Sequence, residues 1–164
     1  MFNHTFIAAT ATLILLAGPA LAGDHAKHNM ASPLANVVGS YGQLRAALAA
    51  DSLAGAQKAA AGLAAAAGKA KVAAEHKRTL AEVGKWAAKV AAAKDMAAAR
   101  MDFGQTSRQL ITLLVAHPRA ATGLTAYRCP MASGYKKWVQ SGDMANPYMG
   151  ARMLRCGGKT KMEP

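Results

Sequence analysis

The residues best suited to chemistry lie at the end of the chain. Both cysteines, Cys129 and Cys156, and five of the nine methionines fall within residues 129–164. Cys129 and Met131 flank Pro130, whose ring fixes φ and holds the segment extended. Met149, Met153 and Cys156 follow at spacings that would put them on one face of a helical turn. Thiolates and thioethers are soft donors that select Cu(I), and thiolates also select zinc. If the two segments meet, Cys129 and Cys156 with Met131 and Met153, and Met149 as a further donor, form a low-coordinate sulfur set. That set suits Cu(I), whereas a structural zinc site asks for four Cys or His ligands. Two cysteines in a secreted chain are also the makings of one disulfide, Cys129–Cys156. Such a bridge would stabilise the fold by about 3–4 kcal/mol through restriction of the unfolded chain. Spacing alone leaves both readings open, although a staple has no need of methionines.

A second donor set depends on processing. Residues 1–22 are an apolar run ending Ala20-Leu21-Ala22, a small-x-small pattern, and read as a secretory signal peptide although no Lys or Arg precedes the run. The run is short for a membrane span and no stop-transfer pattern follows, so no stable membrane insertion is expected after cleavage. The mature protein would be periplasmic or secreted. Cleavage after Ala22 would leave Gly23-Asp24-His25 at the new N-terminus. An amine, two amides and an imidazole then offer four nitrogens in a square plane, the geometry Cu(II) and Ni(II) prefer. His28 and Met30 lie further along the same polar lead, residues 23–31, which otherwise reads as a flexible terminus.

Other classes fare worse. The net charge is +12, carried by lysines and arginines spread along the chain rather than gathered in a block. With secretion, this argues for a solvated surface or an acidic partner over nucleic acid. There are only eight Asp and Glu, and no nucleophile triad, Gly-rich phosphate loop or paired carboxylate is visible. No enzyme is expected. His76 falls on the apolar face expected for the third helix and reads as a core or boundary histidine. His117 reads as a helix C-terminal residue. Met30 with His117 permits a haem reading, but no C-x-x-C-H attachment is present.

These groups must be positioned by a helical frame. Ser32-Pro33 looks like an N-cap and first helical position. Leu34, Val37, Val38, Tyr41, Leu44 and Leu48 then recur at helical spacing. Asp51 can cap a second helix with the stripe Leu53, Ala56, Ala60, Leu63 and Ala67, stopped at Gly68. The third runs from about Val72 through Leu80, Val83, Ala87 and Val90. The fourth carries Met96, Phe103, Ser107, Leu110 and Leu114 and ends at His117-Pro118. Gly104 is a kink candidate; alternatively, the third and fourth helices break near Asp95. The expectation is an all-α fold, an antiparallel four-helix bundle over 32–118. The Cys/Met segment 119–164 completes the same domain by folding back on it. "YKKWVQSGD" is expected to hold a short helical turn, "NPYMG" a turn, and "ARMLRCGG" a short helix or strand.

The runs "YRCPMA", "KKWVQ" and "NPYMGARMLRCG" resemble the C-terminal signature of a bacterial periplasmic domain of unknown function. That domain occurs alone or joined to adaptor subunits of RND-type heavy-metal efflux pumps. "YGQLRAALAADSLAGAQKAAAGLAAA" and "MDFGQTSRQLITLL" resemble its helices, so the likeness covers roughly Leu34 to Gly157. The family is associated with copper and heavy-metal handling, and the resemblance implies a metal-linked role for Cys129, Met131, Met153 and Cys156. A periplasmic metal-transfer or efflux protein is an expected partner, although a pump role does not carry over directly. Met149 stands where family members often carry an aromatic residue, and no efflux-adaptor domain accompanies the signature here.

Overall fold

The computed structural model describes residues 32–164. The segment read as a signal peptide, residues 1–22, and the polar lead, with Gly23, Asp24 and His25, lie outside the described residues. Four helices follow: α1 (Ala35–Ala49), α2 (Leu53–Lys69), α3 (Lys77–Ala91) and α4 (Met96–Ala116). Each packs against the next in sequence. The apolar stripes explain the packing. Val37, Tyr41, Leu44 and Leu48 of α1 are buried, as are Ala56, Ala60, Leu63 and Ala67 of α2. Leu80, Val83, Ala87 and Val90 of α3 meet Phe103, Leu110 and Leu114 of α4 in the same core. Each fully buried Leu or Val contributes about 1.5–3 kcal/mol, while the alanines contribute chiefly by letting backbones approach.

The helix ends depart from expectation in three places. α1 starts at Ala35 after a turn, and Ser32 Oγ accepts from Leu34 N at 3.3 Å rather than capping a helix begun at Pro33. Ser52, not Asp51, caps α2: its hydroxyl accepts from Gly55 N at 3.1 Å. The stretch from Val72 is extended until a 3-10 turn at Ala74–His76, and α3 begins only at Lys77. No Ser, Thr, Asp or Asn stands at Lys69–Ala74 to cap an earlier start. Asp95 caps α4 through Ala98 N at 2.8 Å, at the break expected there, and His117 closes the helix.

Beyond α4 the all-α expectation fails. A 3-10 turn at Pro118–Ala121 leads into a three-stranded antiparallel sheet, order β2-β1-β3, made of β1 (Thr125–Arg128), β2 (Lys137–Gln140) and β3 (Gly158–Lys159). The segment expected to hold a helical turn is therefore strand β2, with Trp138 opposite Tyr127 and Val139 opposite Ala126. Strand-forming Trp and Val at adjacent positions, both buried, outweigh the flanking lysines.

Polar pegs join this sheet to the helices. Tyr41 of α1 donates to Ser107 Oγ of α4 at 2.8 Å, and Ser107 donates to Lys137 O at 2.9 Å. The Tyr41 hydroxyl accepts from Val139 N at 3.4 Å, and Tyr148 donates to Lys137 O at 2.7 Å. Burial pushes both phenols well above their ordinary pKa. An aromatic chain runs alongside: Tyr41 stacks on Phe103, Phe103 meets Tyr148, Tyr148 meets Trp138, and Trp138 stacks on Tyr127.

Candidate functional site

The sheet register brings the cysteines together. Arg128 pairs with Gly158, so Cys129, one residue past β1, runs alongside the segment carrying Cys156. Cys129 N is held by Lys136 O at 3.0 Å, and Cys129-Pro130-Met131-Ala132 turns the chain, with Ala132 N on Cys129 O at 3.4 Å. Cys156 is fixed from the other side: its N–H meets Met153 O at 2.9 Å and its carbonyl accepts from Asn146 Nδ2 at 2.6 Å. The two sulfurs lie 3.4 Å apart and both thiols are free. That exceeds a disulfide bond of about 2.05 Å. It is also shorter than the roughly 4.6 Å that two metal–sulfur bonds of about 2.3 Å span when linear. A shift of about 1 Å in either direction serves one chemistry or the other. Cys129 is fully buried and Cys156 half-buried. The hydrogen bond to Cys129, with burial adding to it, pushes the Cys156 thiol above its ordinary pKa.

The "NPYMG" stretch is a turn, as its residues suggest. Buried Asn146 accepts from Tyr148 N at 2.8 Å and Met149 N at 3.1 Å through one oxygen. Gly150 follows in the left-handed region at φ 62°, where a Cβ would strike the Asp51 carboxylate and the Arg100 guanidinium. Asp51 therefore has a different task from the capping expected of it. Its carboxylate accepts from Ala151 N at 2.8 Å and pairs with Arg100. The Ala151 N–H, then Arg100, hold its carboxyl below the usual range. Arg100 also donates to Leu48 O at 3.1 Å and Pro147 O at 3.0 Å, tying α4 to the end of α1 and to the turn.

The methionines divide. Met149, Met153 and Cys156 do not share a helical face, because only a 3-10 turn, Gly150–Met153, forms there. Met131 and Met149 instead line an open cleft of about 510 Å³ with Met96 and Met101 of α4, Arg100 and Arg152. Neither cysteine nor Met153 is among its walls. Met96 was legible in the sequence only as a helix-face residue, and Met101 carried no signal. Their approach to Met131 depends on how the hairpin turn lies across α4, which spacing does not encode.

His76 sits in the 3-10 turn before α3, not on the face of α3, and its ring meets that of His117 edge to face at 4.8 Å. Buried His117 Nε2 has no hydrogen-bond partner. Met30, the other axial residue of the haem reading, lies outside the described residues. Among the described residues no three His, Cys, Asp or Glu side chains gather as a metal-ligating group. No described helix is long and apolar enough to cross a membrane.

No curated protein and no solved structure matches the chain. A family model described as a protein of unknown function, DUF3347, matches residues 37–120. The match spans all of α2, α3 and α4 and ends before Cys129. This chain belongs to that family, DUF3347.

Proposed function

We propose that the chain is a periplasmic or secreted metal-binding protein that holds copper as Cu(I) for buffering, resistance or transfer. The observation that carries this is the approach of Cys129 and Cys156 to 3.4 Å at the end of the β1–β3 strand pair, fixed by backbone pairing. Two soft sulfurs so placed favour a soft ion at low coordination number. Met131 and Met153 are the thioether donors nearest the pair in sequence, with Met149 beyond. In this reading the four helices are an antiparallel bundle with the Cys/Met segment folded back on it, and the protein is not an enzyme. A shallow two- or three-coordinate site lets an incoming donor attack before the old one leaves. A periplasmic transfer or efflux protein would receive the ion. Gly23, Asp24 and His25 would add a Cu(II) site at a processed N-terminus.

A second reading rests on the same sulfur distance. A Cys129–Cys156 disulfide would staple the β1–β2 turn to the segment before β3, giving an interaction module without metal. Anaerobic Cu(I) titration of the reduced and oxidised protein against a competing chelator, with thiols counted in each, separates the two. One tightly bound ion that is present only in the reduced form and is lost in Cys129→Ser and Cys156→Ser supports the copper reading. No tight binding in either form, with no free thiols as isolated, overturns it in favour of the staple.

A further inference from the structure

We propose that the cleft between α4 and the Cys129–Ala132 turn is a soft-metal site of its own, built from Met96, Met101, Met131 and Met149 and independent of the thiol pair. It would take a monovalent soft cation of the Cu(I) or Ag(I) class through thioether sulfur alone.

Exposure is the first argument. Methionine used as core filler is covered. Here Met101 is 52% exposed and Met131 62% exposed, among only four large apolar side chains left so open in the described residues. Both face the same cleft. Chain topology is the second. Met96 and Met101 come from α4, Met131 from the hairpin turn and Met149 from the Asn146 turn, so three separate segments bring thioethers to one place. Met101 also packs toward the turn: its sulfur lies 3.6 Å from where a Cβ on Gly134 would stand.

The donor chemistry narrows the ligand. No carboxylate, imidazole or thiol lines the cleft. Hard cations such as Ca²⁺ and Mg²⁺ want oxygen ligands, and Zn²⁺ wants thiolate, imidazole or carboxylate. Thioether suits Cu(I). Met131 follows Cys129 closely in sequence, so an ion bound in the cleft is near the thiols in chain terms while using none of them. Arginine opposes any cation. Arg100, however, is paired with Asp51 and bonded to two carbonyls. Arg152 is solvent-exposed, where water and salt screen it. The long, unbranched methionine side chains let the donors adjust around the ion.

This site does not rest on the thiol reading, and the test keeps the two apart. The full chain carrying Cys129→Ser with Cys156→Ser is titrated anaerobically with Ag(I) and with Cu(I), following the methionine methyl resonances. One ion is expected to bind, shifting the methyls of Met96, Met101, Met131 and Met149 and leaving those of Met153 and Met162 in place. Adding Met101→Leu and Met131→Leu, which conserve volume, is expected to weaken binding by about tenfold or more with unchanged circular dichroism. If the doubly substituted cysteine variant does not fold, Met96→Leu with Met101→Leu, neither a donor to the thiol pair, goes into the reduced wild-type chain, where the pair is expected to remove one bound ion. No binding by a folded cysteine-free chain, or undiminished binding with both leucines, would overturn the proposal. One ion bound by the cysteine-free chain, with no second ion taken up by the reduced wild-type chain, would sink the thiol reading and leave this one standing.

Discussion

The helical part and the strand layer of this molecule are held together by different physics. α1 to α4 are joined by apolar stripes in which alanine recurs, and almost any residue of similar volume would serve. The strand layer is held by named atoms: the Tyr41 hydroxyl, Ser107, the Asn146 amide, and the Asp51–Arg100 pair. The first kind of structure is tolerant and carries little chemistry. The second is specific, and both sulfur clusters lie in it or against it. A site needs atoms held in definite places, and non-directional packing of small residues cannot supply that.

The sharpest way to break the contrast is to remove Trp138. It is fully buried, stacked on Tyr127, and its indole N–H donates to Gln140 Oε1 at 2.8 Å. Trp138→Ala is expected to cost about 3–5 kcal/mol in urea unfolding. Because Tyr41 and Ser107 tie the layer to α1 and α4, near- and far-ultraviolet circular dichroism should report one shared transition. Two separated transitions would mean that the strand layer is a detachable cover and that the polar pegs do not unite the parts.

Asn146 offers a smaller and more local break. Its oxygen takes two backbone N–H groups and its amide holds the Cys156 carbonyl, all in a fully buried position. Asn146→Ala leaves those groups without partners, at about 1–3 kcal/mol for a buried unsatisfied group. The readout that separates this from a general loss is the thiols. Cys156 should react faster with an alkylating reagent in the variant, since its segment is no longer fixed. Unchanged reactivity beside lowered stability would show that Asn146 serves the fold but not the sulfur pair.

Legibility in the sequence follows the same division. The helical stripes were readable because a buried face must repeat at 3.6 residues, and Leu44, Leu63, Val83 and Leu110 are all fully buried as that repeat demands. Asn-Pro-Tyr-Met-Gly was readable as a turn because its chemistry is local. The strands were not: four residues give no period, and β2 buries three in a row, Trp138, Val139 and Gln140. Asp51 misleads for a related reason. Its position before α2 suits a cap, but its partners Arg100 and Ala151 are far along the chain. The cysteines were recognisable as a pair, whereas the fourfold methionine cleft was not, since half of it sits on a helix as ordinary apolar residues.

Acid tests the Asp51 anchor with a fainter signal. Its carboxyl titrates below the ordinary value of 3.8 in the folded chain. The ionised form is therefore the one the fold prefers. Its contribution is full above about pH 4 and is lost as pH falls through the folded-state pKa. Asp51 is partly exposed, so solvent screening keeps the contribution small. Asp51→Asn, which still tolerates the residue's positive φ of 55°, should flatten the fall in urea midpoint between pH 5 and pH 2, intervals chosen to bracket the ordinary carboxylate range. A slope equal to wild type would remove Asp51 from the acid response and leave Arg100 anchored by carbonyls alone.

The finest test uses one substitution in both settings. Gly84 lies inside α3 and Gly104 inside α4, and alanine in a helix interior is favoured over glycine by about 0.5–1 kcal/mol. At Gly84 an added methyl would meet only Ala67 Cβ at 3.4 Å and Ala64 O at 3.8 Å, ordinary contacts between α2 and α3. Gly84→Ala should therefore stabilise by nearly the full propensity gain. At Gly104 the methyl would lie 3.2 Å from the carbonyl oxygen of Tyr135 and 3.5 Å from its Cβ. The glycine expected as a kink is instead where the β1–β2 turn lies directly on α4. That turn is pinned by Cys129 N on Lys136 O at 3.0 Å and Lys136 Nζ on Pro130 O at 3.0 Å, so it yields little. Gly104→Ala should lose the propensity gain and lower the urea midpoint. It should also disturb the methyl resonance of Met101, which packs against Gly134 beside that contact. Equal stabilisation at both glycines would mean that the turn gives way as readily as the alanine stripe, and the division between tolerant helices and specific strand layer would fall.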